Sequence, residues 1–410
     1  MANRVTVIIE LKKDKKKLKK TLNSLERQKI QETGGVQIIL FAGKVLQEEY
    51  LDYCREIAST GTDMELWQTW QEDKIEGDMV NVLQEGQTWT QTAVETLVTL
   101  WDSQEEELDF AVEKYKEAVE KQNNRFEYVL NQTEKFVGDI GKYFFHKKFC
   151  NEIQKAVATD KKLEIIYYLV KIISASENML VLESEKLDGK RQYDKKEREW
   201  YLSELPEFKR KLQELEMQAG LEHHAQIAVA YMTQLAESMK DKVEEYLTEE
   251  ERLQYEHWLQ KELQGLENAV INRGNMNAAT RKYAFSLKLG KDVTEQVYCR
   301  DGKFYYDNLM IYNIKNGNSF VITQNPDEDG EVCGVSYHPI REDKIQFYLT
   351  DGRKEYKFQY KEDAQKSQKC MNHIVMQEKK YVCRIPSDVD YSSLYLECNY
   401  GGSSVIRLEK

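Results

Sequence analysis

Several features are scarce in this chain of 410 residues, and each scarcity narrows its function. Net positive charge is lacking: 71 acidic against 59 basic residues leave a formal charge of −12. General nucleic-acid binding relies on a positive surface, so that class is set aside. No apolar run approaches the roughly 18–20 residues needed to span a bilayer. A secretory pattern is also lacking, because the first apolar run is only Val5 to Ile9 and lysines follow it instead of a small-residue cleavage site. The expectation is a cytoplasmic protein, or one on the cytoplasmic face of a membrane. The seven cysteines are scattered, odd in number, and five of them fall after residue 295. Reduced thiols are therefore expected, not a disulfide framework. Cys370-Met-Asn-His373 with Cys383 gives an incomplete zinc spacing, and buried thiols in strands are the preferred reading. Neither an internal repeat nor a low-complexity tract stands out.

What is present suits a protein with a real core: 41% of residues are hydrophobic and 32% charged. The length argues for two or three units. Residues 1–200 alternate apolar strands with helical patterns. Val5 to Ile9 and Val36 to Leu40 read as buried strands, and Leu18, Leu22 and Leu25 between them share one helical face. Asp78 to Leu83 is a third strand candidate, and strand–helix–strand order favours parallel pairing. Residues 201–292 read as helical, with Gly220 and Gly290 as stops. Residues 293–410 hold about eight or nine short alternating stretches with frequent turns, which predicts a small β-sandwich. Asp351-Gly352 is read as a type I′ hairpin turn, and Asn316-Gly317 and Pro326 to Gly330 as further turns.

Val5-Thr-Val-Ile-Ile9, the Leu18–Leu22–Leu25 helix with Asn23-Ser24-Leu25 and Gln28, and Val36 to Leu40 together resemble the opening of family 2 glycosyltransferases of GT-A fold. Gly77 to Leu83, Thr88-Trp89, Gly141 to Phe145 with Lys147 and Lys148, and Leu163 to Lys171 continue the likeness. Glu199-Trp-Tyr201, Phe208 and Tyr283 to Gly290 resemble the helical domain of members from bacterial capsule and wall-polymer loci. The resemblance covers roughly residues 4 to 292. It implies a GT-A-like α/β domain with a mostly parallel sheet and a helical domain; the β-sandwich read from the strand pattern lies beyond it. It also implies a nucleotide-sugar donor and a Mn²⁺ or Mg²⁺ ion that offsets charge on the leaving diphosphate.

The departures from that pattern are chemical. Where the family has "VDDGS", this chain has Leu40-Phe-Ala-Gly43-Lys44, keeping only the glycine. Where it has "LDSDD", this chain has Leu83-Gln-Glu85-Gly-Gln87. Hard divalent ions need charged oxygens, so no metal site is expected and no cofactor is assigned. Asp160 survives from the acidic pair before the later helix. It is a candidate catalytic group with Glu85 and with His146, which falls near the family's acceptor region. Lys12, Lys44 and Gly43 are candidates for holding a nucleotide or other anion, because they fall just past the first two strands. The plainer reading of Lys12 to Lys20 is a solvated amphipathic face, and a third is contact with anionic lipid.

The other clusters carry plain readings: His223-His224 as a surface pair, Glu72 to Asp78 as a charged loop and Asp327 to Glu331 as a polar hairpin tip. The glycosylation triplet Asn131-Gln-Thr133 carries no weight, and the tyrosines Tyr305, Tyr306, Tyr312, Tyr348, Tyr356 and Tyr360 read as strand filler. The expected function is a glycosyltransferase-like protein of bacterial surface-polymer synthesis. It is degenerate in catalysis and acts as a binding or scaffolding subunit beside other glycosyltransferases. The alternatives are an active, metal-independent transferase and an interaction protein that works through its helical and β regions. Partners would be a nucleotide-sugar, a glycan or another transferase, with peripheral membrane contact through Lys12–Lys20 and no nucleic acid.

Overall fold

The computed structural model describes residues 3–28, 35–44, 46–61, 63–104, 107–113, 139–182, 187–189, 191–274, 276–300, 302–306, 309–313, 320–336, 338, 344–400 and 404–408. The chain divides into two compact units, Met1–Ala230 and Tyr231–Lys410.

The first unit is built on a seven-stranded sheet in the order β3-β2-β1-β4-β7-β6-β8. Its strands are β1 (Asn3–Glu10), β2 (Gly35–Phe41), β3 (Met64–Trp67), β4 (Met79–Gln84), β6 (Phe110–Glu113), β7 (Tyr143–His146) and β8 (Met179–Leu182). All pairs are parallel except those made by β7, which runs against β4 and β6. The expected mostly parallel sheet is therefore present. Val7 and Ile8 of β1 point to opposite faces and both are fully buried, as an interior strand of a covered parallel sheet requires. The strand expected at Asp78–Leu83 is β4, and it lies beside β1. An edge strand, β3, precedes it. Its four residues, three of them only half-buried, carry too short a pattern to read.

Helix α1 (Lys15–Glu26) follows β1. Asp14 caps it by accepting from the backbone N–H of Lys16 and Lys17 at 3.1 and 3.0 Å. Leu18, Leu22 and Leu25 are buried against the sheet, each stabilising the unit by about 1.5–3 kcal/mol. Lys15, Lys16, Lys19 and Lys20 are exposed, as a solvated face requires. Helix α2 (Glu48–Thr60) joins β2 to β3 and buries Tyr50, Leu51 and Cys54. Helices α3 (Ala93–Asp102), α4 (Cys150–Val157), α5 (Lys162–Ser174) and α6 (Leu205–Gln218) complete the described helices wholly within this unit, with a short pairing of β5 (Thr88–Trp89) and β9 (Leu187–Asp188). Helix α6 stops just before Gly220. His224 lies 3.7 Å from Glu216, the side chain of His223 is outside the described residues, and so is the triplet at 131–133.

The division between the units falls within helix α7 (Leu221–Lys240). The second unit holds α8 (Glu249–Gly265), α9 (Asn268–Arg273) and α10 (Ala278–Leu289), which ends on Gly290 with φ 65°. Antiparallel strands follow: β10 (Tyr298–Arg300), β11 (Lys303–Tyr306) and β12 (Leu309–Asn313) form one small sheet. Two four-stranded sheets come next, β13-β14-β18-β17 and β16-β15-β19-β20. They comprise β13 (Phe320–Gln324), β14 (Glu331–Ser336), β15 (Ile345–Thr350), β16 (Glu355–Lys357), β17 (Gln359–Cys370), β18 (His373–Arg384), β19 (Tyr395–Tyr400) and β20 (Ser404–Leu408). Their shared core is aromatic: Phe320 and Tyr381 of one sheet lie 4.4 and 5.4 Å, centroid to centroid, from Phe347 of the other. The sandwich expectation holds: its two sheets hold eight described strands, in line with the eight or nine expected, and β10, β11 and β12 add a separate small sheet.

The turn chemistry differs from expectation. Asp351-Gly352 does sit between two paired strands, but in a four-residue loop where only Gly352 has positive φ. The Asp351 carboxylate accepts from the N–H of Arg353 and Lys354, which builds a longer turn. Among the described residues, the two-residue turn with positive φ at both positions is Met371–Asn372, joining β17 to β18. Cys370 and His373 are therefore cross-strand neighbours. Cys370 is buried beside Thr280, and His373 bonds Glu256 at 2.9 Å, so neither is arranged for zinc. Asp327 folds the next hairpin tip by accepting from Asp329 and Glu331, which leaves no calcium loop there. Residues 316 and 317 are outside the described residues, as is the side chain of Tyr312. Tyr305, Tyr306 and Tyr356 are half-buried and Tyr348 is buried, while Tyr360 is exposed.

Candidate functional site

The register sets Glu10 of β1 level with Phe41 of β2 and Gln84 of β4. Residues just past these positions meet at the carboxyl end of the parallel strands, where open α/β sheets bind ligands. Glu85 is almost fully buried there. Its carboxylate accepts from the backbone N–H of Lys12 at 2.7 Å and of Asp14 at 2.8 Å, and from the Tyr50 hydroxyl. Between those two N–H groups, Lys13 has φ 75°, a left-handed conformation that costs a residue with a side chain about 1–2 kcal/mol. Glu85 therefore fastens a strained loop. Burial pushes its carboxyl above the usual range, against the pull of Tyr50 and the two backbone donors.

The candidate lysines converge on the candidate aspartate. Lys12 Nζ pairs with Asp160 Oδ1 and Lys44 Nζ with Asp160 Oδ2. Lys12 also lies 3.5 Å from Glu10, and Glu10 is paired to the buried Arg191. Arg191, Glu10, Lys12, Asp160 and Lys44 thus form a row of alternating charge. Burial alone would raise the Asp160 carboxyl, but the two ammonium groups outweigh it and hold it below the usual carboxylate range. Burial would likewise weaken the Arg191 proton, and Glu10 more than restores it. Nε and Nη1 of Arg191 have no hydrogen-bond partner among the described residues.

Beside this row is a groove of about 480 Å³, lined by Lys12 to Lys17, Gln84, Glu85 and Gln192. Gln84 and Gln192 exchange hydrogen bonds of 3.0 and 2.7 Å, tying the segment that carries Arg191 to the end of β4. Lys13 and Lys16 enter no ion pair among the described residues.

The residues here do not fit the divalent metal that the resemblance implies. Both oxygens of Glu85 are committed to the three donors named above. The Gln87 amide accepts from Gln84 N–H at 2.9 Å and donates to Asp139 at 3.1 Å. Among the described residues no group of three or more His, Cys, Asp or Glu side chains is placed to hold a metal.

Two candidates have other roles. A Cβ on Gly43 would lie 2.6 Å from the ring of Phe41, so packing against that ring accounts for the glycine. His146 lies against Met79, at the opposite end of β4 from Gln84, roughly 17 Å away along the strand. There it contacts Glu107 at 2.9 Å and accepts from Lys148 N–H at 3.1 Å. The structure thus joins Lys12, Lys44, Asp160 and Glu85 and leaves His146 apart. The acidic cluster before β4 is a charged loop, in which Asp78 pairs with Lys147 at 2.9 Å. Sequence reasoning missed Glu10, Tyr50 and Arg191. Glu10 had one available signal, a carboxylate directly ending a fully apolar strand.

No protein-family model matches the chain, and no curated protein matches it. Solved structures do. S. aureus TarS aligns over 99% of this chain and 77% of its own, with a TM-score of 0.55 at 10% identity. TarS 1-349 in complex with UDP-GlcNAc aligns over 74% of this chain and 96% of its own, with a TM-score of 0.49 at 11% identity. The mannosyltransferase PcManGT from Pyrobaculum calidifontis, in complex with GDP-Man and Mn²⁺, aligns over 70% and 87%, with a TM-score of 0.36 at 12% identity. The fold is of the GT-A type, with helices and antiparallel C-terminal strands as in TarS.

Proposed function

We propose that this chain is a glycosyltransferase-like protein of bacterial surface-polymer synthesis that has lost metal-dependent transfer and serves as a binding or scaffolding subunit. Support for the class comes from likeness of fold to TarS, a wall-polymer glycosyltransferase. The observation that carries the loss of transfer is Glu85, the one acidic residue left in the metal-binding stretch, spent on the backbone of the loop after β1. In this reading residues 1–200 carry the transferase-like fold, 201–292 the helices and 293–410 the sandwich. Among the described residues no helix is long and apolar enough to cross a membrane. The exposed lysines of α1 would then meet anionic lipid at the cytoplasmic face.

Calorimetry with UDP-, GDP- and CDP-linked donors, with and without Mn²⁺ or Mg²⁺, tests the proposal. The expected result is no metal-dependent binding and no donor turnover. Mn²⁺-dependent binding or release of nucleotide diphosphate would overturn it. The rival reading, a metal-independent transferase, is favoured by Lys12 and Lys44 at the strand ends, and metal-free turnover lost on Lys44→Ala would establish it. A blank panel turns the search to protein partners, active glycosyltransferases first.

A further inference from the structure

In the row of five charges, Arg191 matches Glu10, and Lys12 and Lys44 are left to Asp160. Asp160 comes from the segment before α5, 148 residues from Lys12 and 116 from Lys44. It places one carboxylate oxygen on each lysine. Two ammonium groups flanking a two-oxygen anion is the arrangement that a phosphate or diphosphate group requires. Without the Asp160 charge, Lys12 would keep only Glu10, which Arg191 already neutralises, and Lys44 would lose the carboxylate it pairs with.

We propose that Lys12 and Lys44 form a diphosphate-binding site in which the Asp160 carboxylate is the resident anion, so that a diphosphate binds only when Asp160 is displaced or neutralised. Three observations support the assignment. The groove of about 480 Å³ opens directly beside Lys12, and the exposed Lys13 and Lys16 add positive charge to its lining. Arg191 stands behind Glu10 and neutralises it, which leaves the charge of Lys12 for an anion on its other side. The Lys44 side chain is half exposed while Asp160 is only 14% exposed, so an incoming anion meets Lys44 first. The inference rests on the proposal that this corner has lost its metal, because the charge a metal would bring must then come from lysines.

The test is calorimetric titration with inorganic pyrophosphate, free of divalent metal, of wild type, Asp160→Asn and Asp160→Asn/Lys44→Ala. Removing one resident charge beside two lysines should tighten pyrophosphate binding by about tenfold or more. The double variant should fall back to the wild-type affinity. Equal affinity for wild type and Asp160→Asn would overturn the inference, as would a gain that survives Lys44→Ala. Should the asparagine variant not fold, Asp160→Ser makes the same comparison. Failure of the proposed function reads out separately, as metal-dependent turnover by the wild type.

Discussion

The two ends of the β1–β4 strand pair hold the same ingredients, lysines and carboxylates, and use them differently. At the amino end of β4, the pairs are backbone-assisted. Asp109 takes Lys148 and the N–H groups of Glu177 and Asn178, and Asp78 takes Lys147. At the carboxyl end, charges from four separate segments line up in alternating sign, beside a loop held in a left-handed conformation at Lys13. The first arrangement anchors chain segments. The second costs backbone strain and buries a guanidinium, and it faces a groove. Strain and buried charge concentrated at one end of a sheet are features that functional sites collect, which sets this end apart from the other.

The comparison breaks most sharply at Arg191. Replacing it with methionine leaves the buried Glu10 with only Lys12, 3.5 Å away, and the loss of a buried partner typically costs about 3–5 kcal/mol. A urea unfolding curve should show a lowered midpoint. Adding Glu10→Met to Arg191→Met should recover much of the loss, because the apolar pair carries no desolvation cost. A double variant as unstable as the single one would mean that the row is held by packing instead of charge.

Glu85→Ala comes next. It strands the Lys12 and Asp14 N–H groups and the Tyr50 hydroxyl, and each unsatisfied buried donor costs about 1–3 kcal/mol, less where water reaches it. We expect about 3 kcal/mol in total, and about half that for Glu85→Gln, which keeps one acceptor oxygen. A Glu85→Ala variant as stable as wild type would show that Glu85 does not fasten the loop, and the metal reading would reopen.

Legibility followed the same geography. The strands β1, β2 and β4 and the inner face of α1 could be read because burial imposes a pattern on consecutive residues. Lys12, Lys44, Asp160 and Glu85 were each recognisable by position, but not their mutual pairing, since nothing in a sequence ties Lys12 to a carboxylate 148 residues away. Arg191 gave no signal, being one charge in a polar loop. In the second unit, Asp351-Gly352 looked like the tight turn, yet Met371–Asn372 is the one formed. The Met371 side chain is buried and its N–H bonds the carbonyl of Met239 at 3.1 Å, so tertiary contact overrode local preference. His146 was misplaced because a resemblance supplies an order along the chain and not which end of a strand a residue occupies.

The smallest effect gives the finest distinction between the two ends. Asp160 and Asp109 are both raised by burial and lowered further by their partners, and both end below the ordinary value of 3.8. A carboxyl with a lowered folded pKa stabilises the protein above its unfolded pKa. That contribution fades as pH falls through the unfolded and then the folded value. The stability difference between wild type and either Asp→Asn variant should therefore be flat at neutral pH and shrink from about pH 4 downward. Salt should separate them. Asp160 depends on two ammonium groups, one half exposed, whereas Asp109 also has two backbone donors that mobile ions do not screen. At neutral pH, raising the salt should shrink the Asp160→Asn difference, about 1 kcal/mol or less, more than the Asp109→Asn difference. Equal salt sensitivity would mean that Asp160 is held by its segment and not by the lysines, and the two ends of the sheet would then be alike.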